Sequence, residues 1–261
     1  MRIKNICLFV LLNMMVVFTS CSDSEDDALR FCGSYGEEEL TDAVVSIGEN
    51  WIRVRGGEGG YAVSSNNKEI AEVSVDEDVV YIRAYKPGVT EIMVTDGAGE
   101  KVAIPLHVET KEQVFKVLLV TSYAEIEDGE ARAIIEEEVK ENILVEEGGR
   151  YLLTREKWNK KQYEGKLVVY LTASEKESIV GTFVWDESVK PFQITFIYNN
   201  QEHKYELPVK GLPAAGKLIA RSNLVQKEMF MGEDLTSRYT TRYPAAVRVL
   251  GLEKILIEGS F

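Results

Sequence analysis

The sequence predicts a mainly β protein, a β-sandwich followed by an α+β domain, and three observations carry that expectation. Between residues 40 and 108 short apolar runs alternate with turn clusters, with no helical spacing between them. At Thr110-Lys111-Glu112-Gln113 a polar joint gives way to a dense apolar run over 114–120. Beyond it Ala131, Ile134, Ile135, Val139 and Ile143 fall at helical spacing, ahead of four further β runs.

In chain order, residues 1–20 have the parts of an export signal: Arg2 and Lys4, an apolar run over 6–18, and the small residues Thr19 and Ser20. The apolar run contains Asn13 and falls short of the ~20 residues that span a bilayer, so a removed signal fits better than a retained helix. Cys21 follows the small pair directly. Residues 18–21 resemble the lipobox of bacterial lipoproteins of the Bacteroidota kind, with Phe18 where the family pattern has Leu. The resemblance implies a thioether from the Cys21 sulfur to diacylglycerol and an acylated α-amine. Attachment would then run through covalent lipid on Cys21, and two or more acyl chains, at ~0.8 kcal/mol per buried methylene, hold a protein stably.

Behind Cys21 stands Ser22-Asp23-Ser24-Glu25-Asp26-Asp27, a block of like charge with nothing apolar to bury. It reads as a solvated tether, and it also resembles the acidic signal that sends such lipoproteins to the outer face of the outer membrane. Residues 21–39 as a whole read as this tether. The net charge is −13, and losing residues 1–20 removes Arg2 and Lys4 and no acid, leaving −15. That balance excludes a nucleic-acid partner, which needs clustered Lys and Arg. It also excludes electrostatic binding to anionic lipid. With Cys7 in the signal and Cys21 lipidated, Cys32 is left without an intramolecular partner and reads as an ordinary thiol in a flexible setting.

Over 40–110 the alternation puts Val73 and Val75, then Val80, Ile82 and Ala84, then Ile92 and Val94, and finally Val102, Ile104, Leu106 and Val108 on inward faces. Pro87-Gly88 and Asp96-Gly97-Ala98-Gly99 supply turns, and Pro105 predicts an edge or a bulge in the last strand. The loop Gly56-Gly57-Glu58-Gly59-Gly60 precedes a strand, not a helix, so it lacks what a phosphate loop requires. The segments around Gly60-Tyr61-Ala62-Val63, Ile70-Ala71-Glu72-Val73, Lys86-Pro87-Gly88-Val89-Thr90, Val94-Thr95-Asp96-Gly97 and Ile104-Pro105-Leu106 resemble the bacterial Ig-like domain of the second group. That resemblance implies an Ig-like sandwich serving as a spacer or interaction module.

Residues 114–261 read as the α+β domain. Asp128-Gly129-Glu130 predicts a helix start and Gly148-Gly149 its end, and 154–163 is compatible with a second short helix. β runs are expected over 166–172, 179–185, 192–198 and 203–209. The tail is open between a β run at 217–220, a helix-compatible stretch at 234–242 and a final strand at 252–257.

Chemistry is sparse. His107 and His203 lie in different domains without ligand spacing, so no metal or cofactor is implied, and there is no nucleophile elbow. The expectation is a non-enzyme. Carbohydrate binding is the best-motivated activity, because sugar faces stack on exposed aromatics, and Trp158 and Tyr163 amid Lys157, Asn159, Lys160 and Lys161 are the candidate platform. Trp185 and Tyr198 read as core or strand packing. The alternative is a structural or adhesin-type surface protein that binds a protein partner.

Overall fold

Strict alternation of buried and exposed positions governs the first half of the structure, a computed structural model that describes residues 28–36, 38–209 and 227–258. Strands β1 (Arg30–Cys32), β3 (Gly48–Arg55), β6 (Val79–Ala84) and β5 (Ala71–Asp76) form one four-stranded sheet in that order. A second contains β2 (Ala43–Ser46), β8 (Lys101–Glu109), β7 (Gly88–Thr95) and β4 (Ala62–Ser65). Val80, Ile82 and Ala84 of one sheet and Ile92, Val94, Ile104 and Leu106 of the other are all buried in the same core.

Two expectations change here. Residues 29–32, read as tether, are built in: Phe31 is fully buried, β1 pairs with β3, and Cys32 is a buried free thiol. β8 is not an edge, since it lies between β2 and β7; Pro105 stands one residue before β2 joins, where β7 is its only neighbour. The glycine loop is a structural connection. Asp96 accepts from the Glu58 and Glu100 amides, both at 2.8 Å, and these backbone donors hold its carboxyl below the usual range. Gly57, at φ +67°, lies so close to Asp96 that a Cβ would meet the carboxylate.

The second half, expected as an α+β domain, is built on a closed eight-stranded antiparallel barrel. Its strands are β9 (Lys111–Glu125), β10 (Arg150–Trp158), β11 (Gln162–Tyr170), β12 (Ser178–Asp186), β13 (Phe192–Tyr198), β14 (Gln201–Leu207), β15 (Lys227–Asp234) and β16 (Arg248–Glu258), and β16 closes on β9. Only Thr110 separates β8 from β9, so the joint is a single residue and the barrel begins at Lys111. The stretch 154–163 is the end of β10, a turn and the start of β11, not a helix. The expected run at 217–220 lies outside the described residues.

One long helix, α1 (Gly129–Asn142), begins where the sequence places it, with the Asp128 side chain accepting from the Glu130 and Ala131 amides. Its buried Ala131, Ile135 and Val139 pack on Ala124, Leu235, Ala246 and Val249 over one barrel end. The expected helix at 234–242 is reduced to α2 (Thr236–Tyr239).

Candidate functional site

An eight-stranded barrel has an interior that side chains can fill or that can hold one small ligand, and this one does each at a different level. Near the first unit the lumen is packed by Phe115, Leu153, Leu167, Phe183, Trp185 and Ile194. Within this packing Arg155 is buried, donating from Nη2 to Gln113 Oε1 at 2.7 Å, with its guanidinium 4.1 Å from the Tyr163 ring centroid and 5.1 Å from that of Trp185.

At the opposite end, under α1, the lumen opens into a cavity of about 660 Å³. The β13–β14 hairpin supplies an aromatic wall: His203 stacks on Tyr198 at 4.5 Å and 14°, and lies 6.5 Å from Tyr205 at 22°. Burial pushes the Tyr198 hydroxyl up to about 12 and that of Tyr205 well above its ordinary range. At the floor stands Glu253 of β16, 3% exposed, whose Oε1 accepts from the Tyr151 hydroxyl at 2.8 Å. Its Oε2 has no hydrogen-bond partner among the described residues. Desolvation, with Glu233 adding repulsion, raises the Glu253 carboxyl to about 8, so it is mostly the neutral acid at pH 7.

The rim is charged. Arg242 pairs with Glu138 of α1 at 2.7 Å, while Glu233 of β15 meets His203 Nδ1 at 3.4 Å and Arg238 at 3.7 Å. Every rim cation thus faces a carboxylate other than Glu253. The arrangement offers the part-buried His203 ring, backed by the buried Tyr198 and Tyr205, together with ionic and amide hydrogen-bonding groups, in a volume typical of small-molecule sites.

The residues singled out from sequence lie elsewhere. Cys21 is outside the described residues. Trp158 and Tyr163 are 7% and 8% exposed and sit in the seam between the sheets and the barrel. Trp158 stacks with Tyr85 at 5.7 Å and with Tyr163 at 6.1 Å, and its amide donates to the Tyr85 carbonyl at 2.8 Å. Neither ring presents a free face for a sugar. Trp185 and Tyr198 are buried, as read, but Tyr198 also lines the cavity.

The lysines around Trp158 suggested exposure, yet Lys157 marks only the outward face of β10, and Lys160 and Lys161 lie in the turn that follows it. The exposed aromatics include Tyr35 and the cross-strand partners Trp51 and Tyr81, the latter two 42% and 45% exposed. Among the described residues no group of three His, Cys, Asp or Glu could hold a metal. No family model matches this chain, and no curated protein matches it.

Proposed function

We propose that this is a non-enzymatic, lipid-anchored surface protein that binds a carbohydrate in the mouth of its barrel. The observation that carries the reading is the 660 Å³ cavity, with the Tyr198–His203 stack in its wall and Glu233 and Glu253 among its lining. Sugars present apolar faces to rings and hydroxyls to carboxylates and amides, and Asn199 and Gln201 add amides to this lining.

The two four-stranded sheets, read as an Ig-like module, act as a spacer between the barrel and the anchor. The lipobox-like residues place covalent lipid on Cys21, and the acidic run behind it favours display at the surface of the outer membrane. No helix among the described residues is long and apolar enough to cross a membrane.

The test is a glycan array with the purified chain, repeated with His203→Ala. Retention of a defined glycan class that His203→Ala abolishes supports the reading; retention of none, or binding indifferent to the substitution, rejects it. For the anchor, Cys21→Ser is expected to abolish palmitate incorporation and release the protein from membranes, and a variant that still partitions into detergent overturns that part. A second reading, docking of a protein partner, is favoured by the exposed Trp51–Tyr81 pair. It predicts that Trp51→Ala together with Tyr81→Ala abolishes adhesion and leaves glycan retention intact.

A further inference from the structure

We infer that the outer face of the first four-stranded sheet carries a carbohydrate site of its own, for a flat chain of β-linked hexoses that stacks on Trp51 and Tyr81. The inference goes beyond the barrel-mouth reading and does not rest on it.

Register places the site. Trp51 of β3 stands opposite Tyr81 of β6, and Tyr81 stands opposite Ser74 of β5, so the three form one row across neighbouring strands. Ile52, Val80 and Ile82, next to them in the chain, are buried, which turns the row outward. Both rings are exposed, and together with Glu49, Ser74 and Arg83 they line a groove of about 400 Å³. Arg53 lies 5.8 Å from the Trp51 ring centroid and donates to Asp78 at 2.7 Å and to the Ser34 carbonyl at 3.1 Å. The indole is thus braced before any ligand arrives.

The occupant follows from what flanks the rings. On one side the next row is Glu72, Arg83 and Glu49; on the other, Arg53 and Arg55 converge on Asp78 at 2.7 and 3.1 Å. The aromatic strip is therefore one row deep between two charged rows. A stable protein interface takes about 800 Å² from each partner and has a core depleted of charge, so this strip suits a smaller ligand. A sugar chain has the matching chemistry, with apolar ring faces for the aromatics and hydroxyl edges for the flanks. Arg83 and Glu49 meet only at 3.9 Å and are both exposed, so their pairing is weak and their polar atoms stay open to hydroxyls. Adjacent strands lie ~4.8 Å apart, about the advance of one residue in an extended β-linked chain, so successive sugars meet successive rings. An α-linked chain curls and leaves one ring uncovered.

The test uses the tryptophan itself. The chain has three tryptophans, and Trp158 and Trp185 are buried, so acrylamide quenching of its fluorescence reports on Trp51. None of the three lines the barrel mouth, and a sugar bound there leaves the signal unmoved. The full chain is measured at pH 7 in a sugar-free detergent, with cellotetraose as the flat β-1,4-linked probe and maltotetraose as its α-1,4-linked isomer. Cellotetraose is expected to lower the quenching of Trp51 saturably, by about twofold or more, and maltotetraose to leave it unchanged. Tyr81→Ala is expected to raise the cellotetraose concentration needed by about tenfold or more. Protection by neither sugar, by both alike, or undiminished in a folded Tyr81→Ala overturns the inference. Calorimetric binding that His203→Ala abolishes, without protection of Trp51, supports the barrel mouth and overturns this site. Loss of adhesion on joint Trp51→Ala and Tyr81→Ala substitution, with no sugar protecting Trp51, also overturns it and assigns the pair to a protein partner. The wild-type comparison of the two sugars decides the matter even where Tyr81→Ala does not fold.

Discussion

Glu253 retains in the fold a proton that the unfolded chain releases near the ordinary carboxylate pKa of about 4.3. Its folded value is about 8. Between these two values the native state binds more protons than the unfolded one, so this group's contribution makes stability fall as pH rises across that window, with no further loss above about 8. Glu253→Gln removes the titration while keeping the shape. The expected outcome is a variant whose melting temperature, relative to wild type, climbs from pH 5 to pH 9. A difference that is flat with pH shows that Glu253 is not buried as its acid. The residue was legible in part: with Ile255 and Ile257 inward, period two puts Glu253 on the same face. Its partner was not legible, because Tyr151 lies 102 positions away and meets it only across the lumen. The same rule, applied to Trp158 and Tyr163, pairs the two across β10 and β11 and turns both rings inward, whatever lysines flank them.

Among the elements, α1 was legible because its signals are local: an Asp cap, an early acid and apolar residues on one face. β10 was not, because its pairing register shifts between Arg155 and Lys157 and so breaks the alternation that marks a strand. Opposite that bulge sits Gly165, paired with Arg155, and a Cβ added there would run into the Thr154 carbonyl and crowd the Glu156 amide at 3.0 Å. Neither obstacle is a flexible side chain that could swing away. Gly165→Ala is therefore expected to destabilise the barrel by about 1–3 kcal/mol, read by denaturant unfolding. A variant as stable as wild type shows that β10 and β11 do not approach so closely. Barrel closure itself depends on β16 pairing with β9 along Arg248↔Glu125 to Glu258↔Val114, a choice of register made between segments distant in the chain.

For the whole molecule, the division into two units has to be drawn around β1 and not at Leu40. Phe31 is a fully buried side chain of the first core, and β1 occupies the edge of its sheet beside β3. A fragment spanning 28–110 is expected to fold alone and to exceed the 40–110 fragment in stability by about 3–5 kcal/mol, the usual cost of emptying a large aromatic site. Equal melting temperatures for the two fragments rule this out.

The seam that joins the units is small and specific. Trp158 at the end of β10 stacks with Tyr85 and Tyr163, its amide donates to the Tyr85 carbonyl, and Lys160 beside it reaches Glu72 at 3.5 Å. The ion pair is exposed and contributes little, so the ring stack carries most of the coupling. The core runs continuously through this point from the sheets into the barrel, and the full chain should accordingly melt in one cooperative transition. Trp158→Ala removes the buried ring that stacks between Tyr85 and Tyr163, at a cost of about 3–5 kcal/mol. Scanning calorimetry of the variant is expected to show two separated transitions, the first matching the isolated 28–110 fragment. A single transition at the wild-type temperature would mean that the units are held together by something other than Trp158.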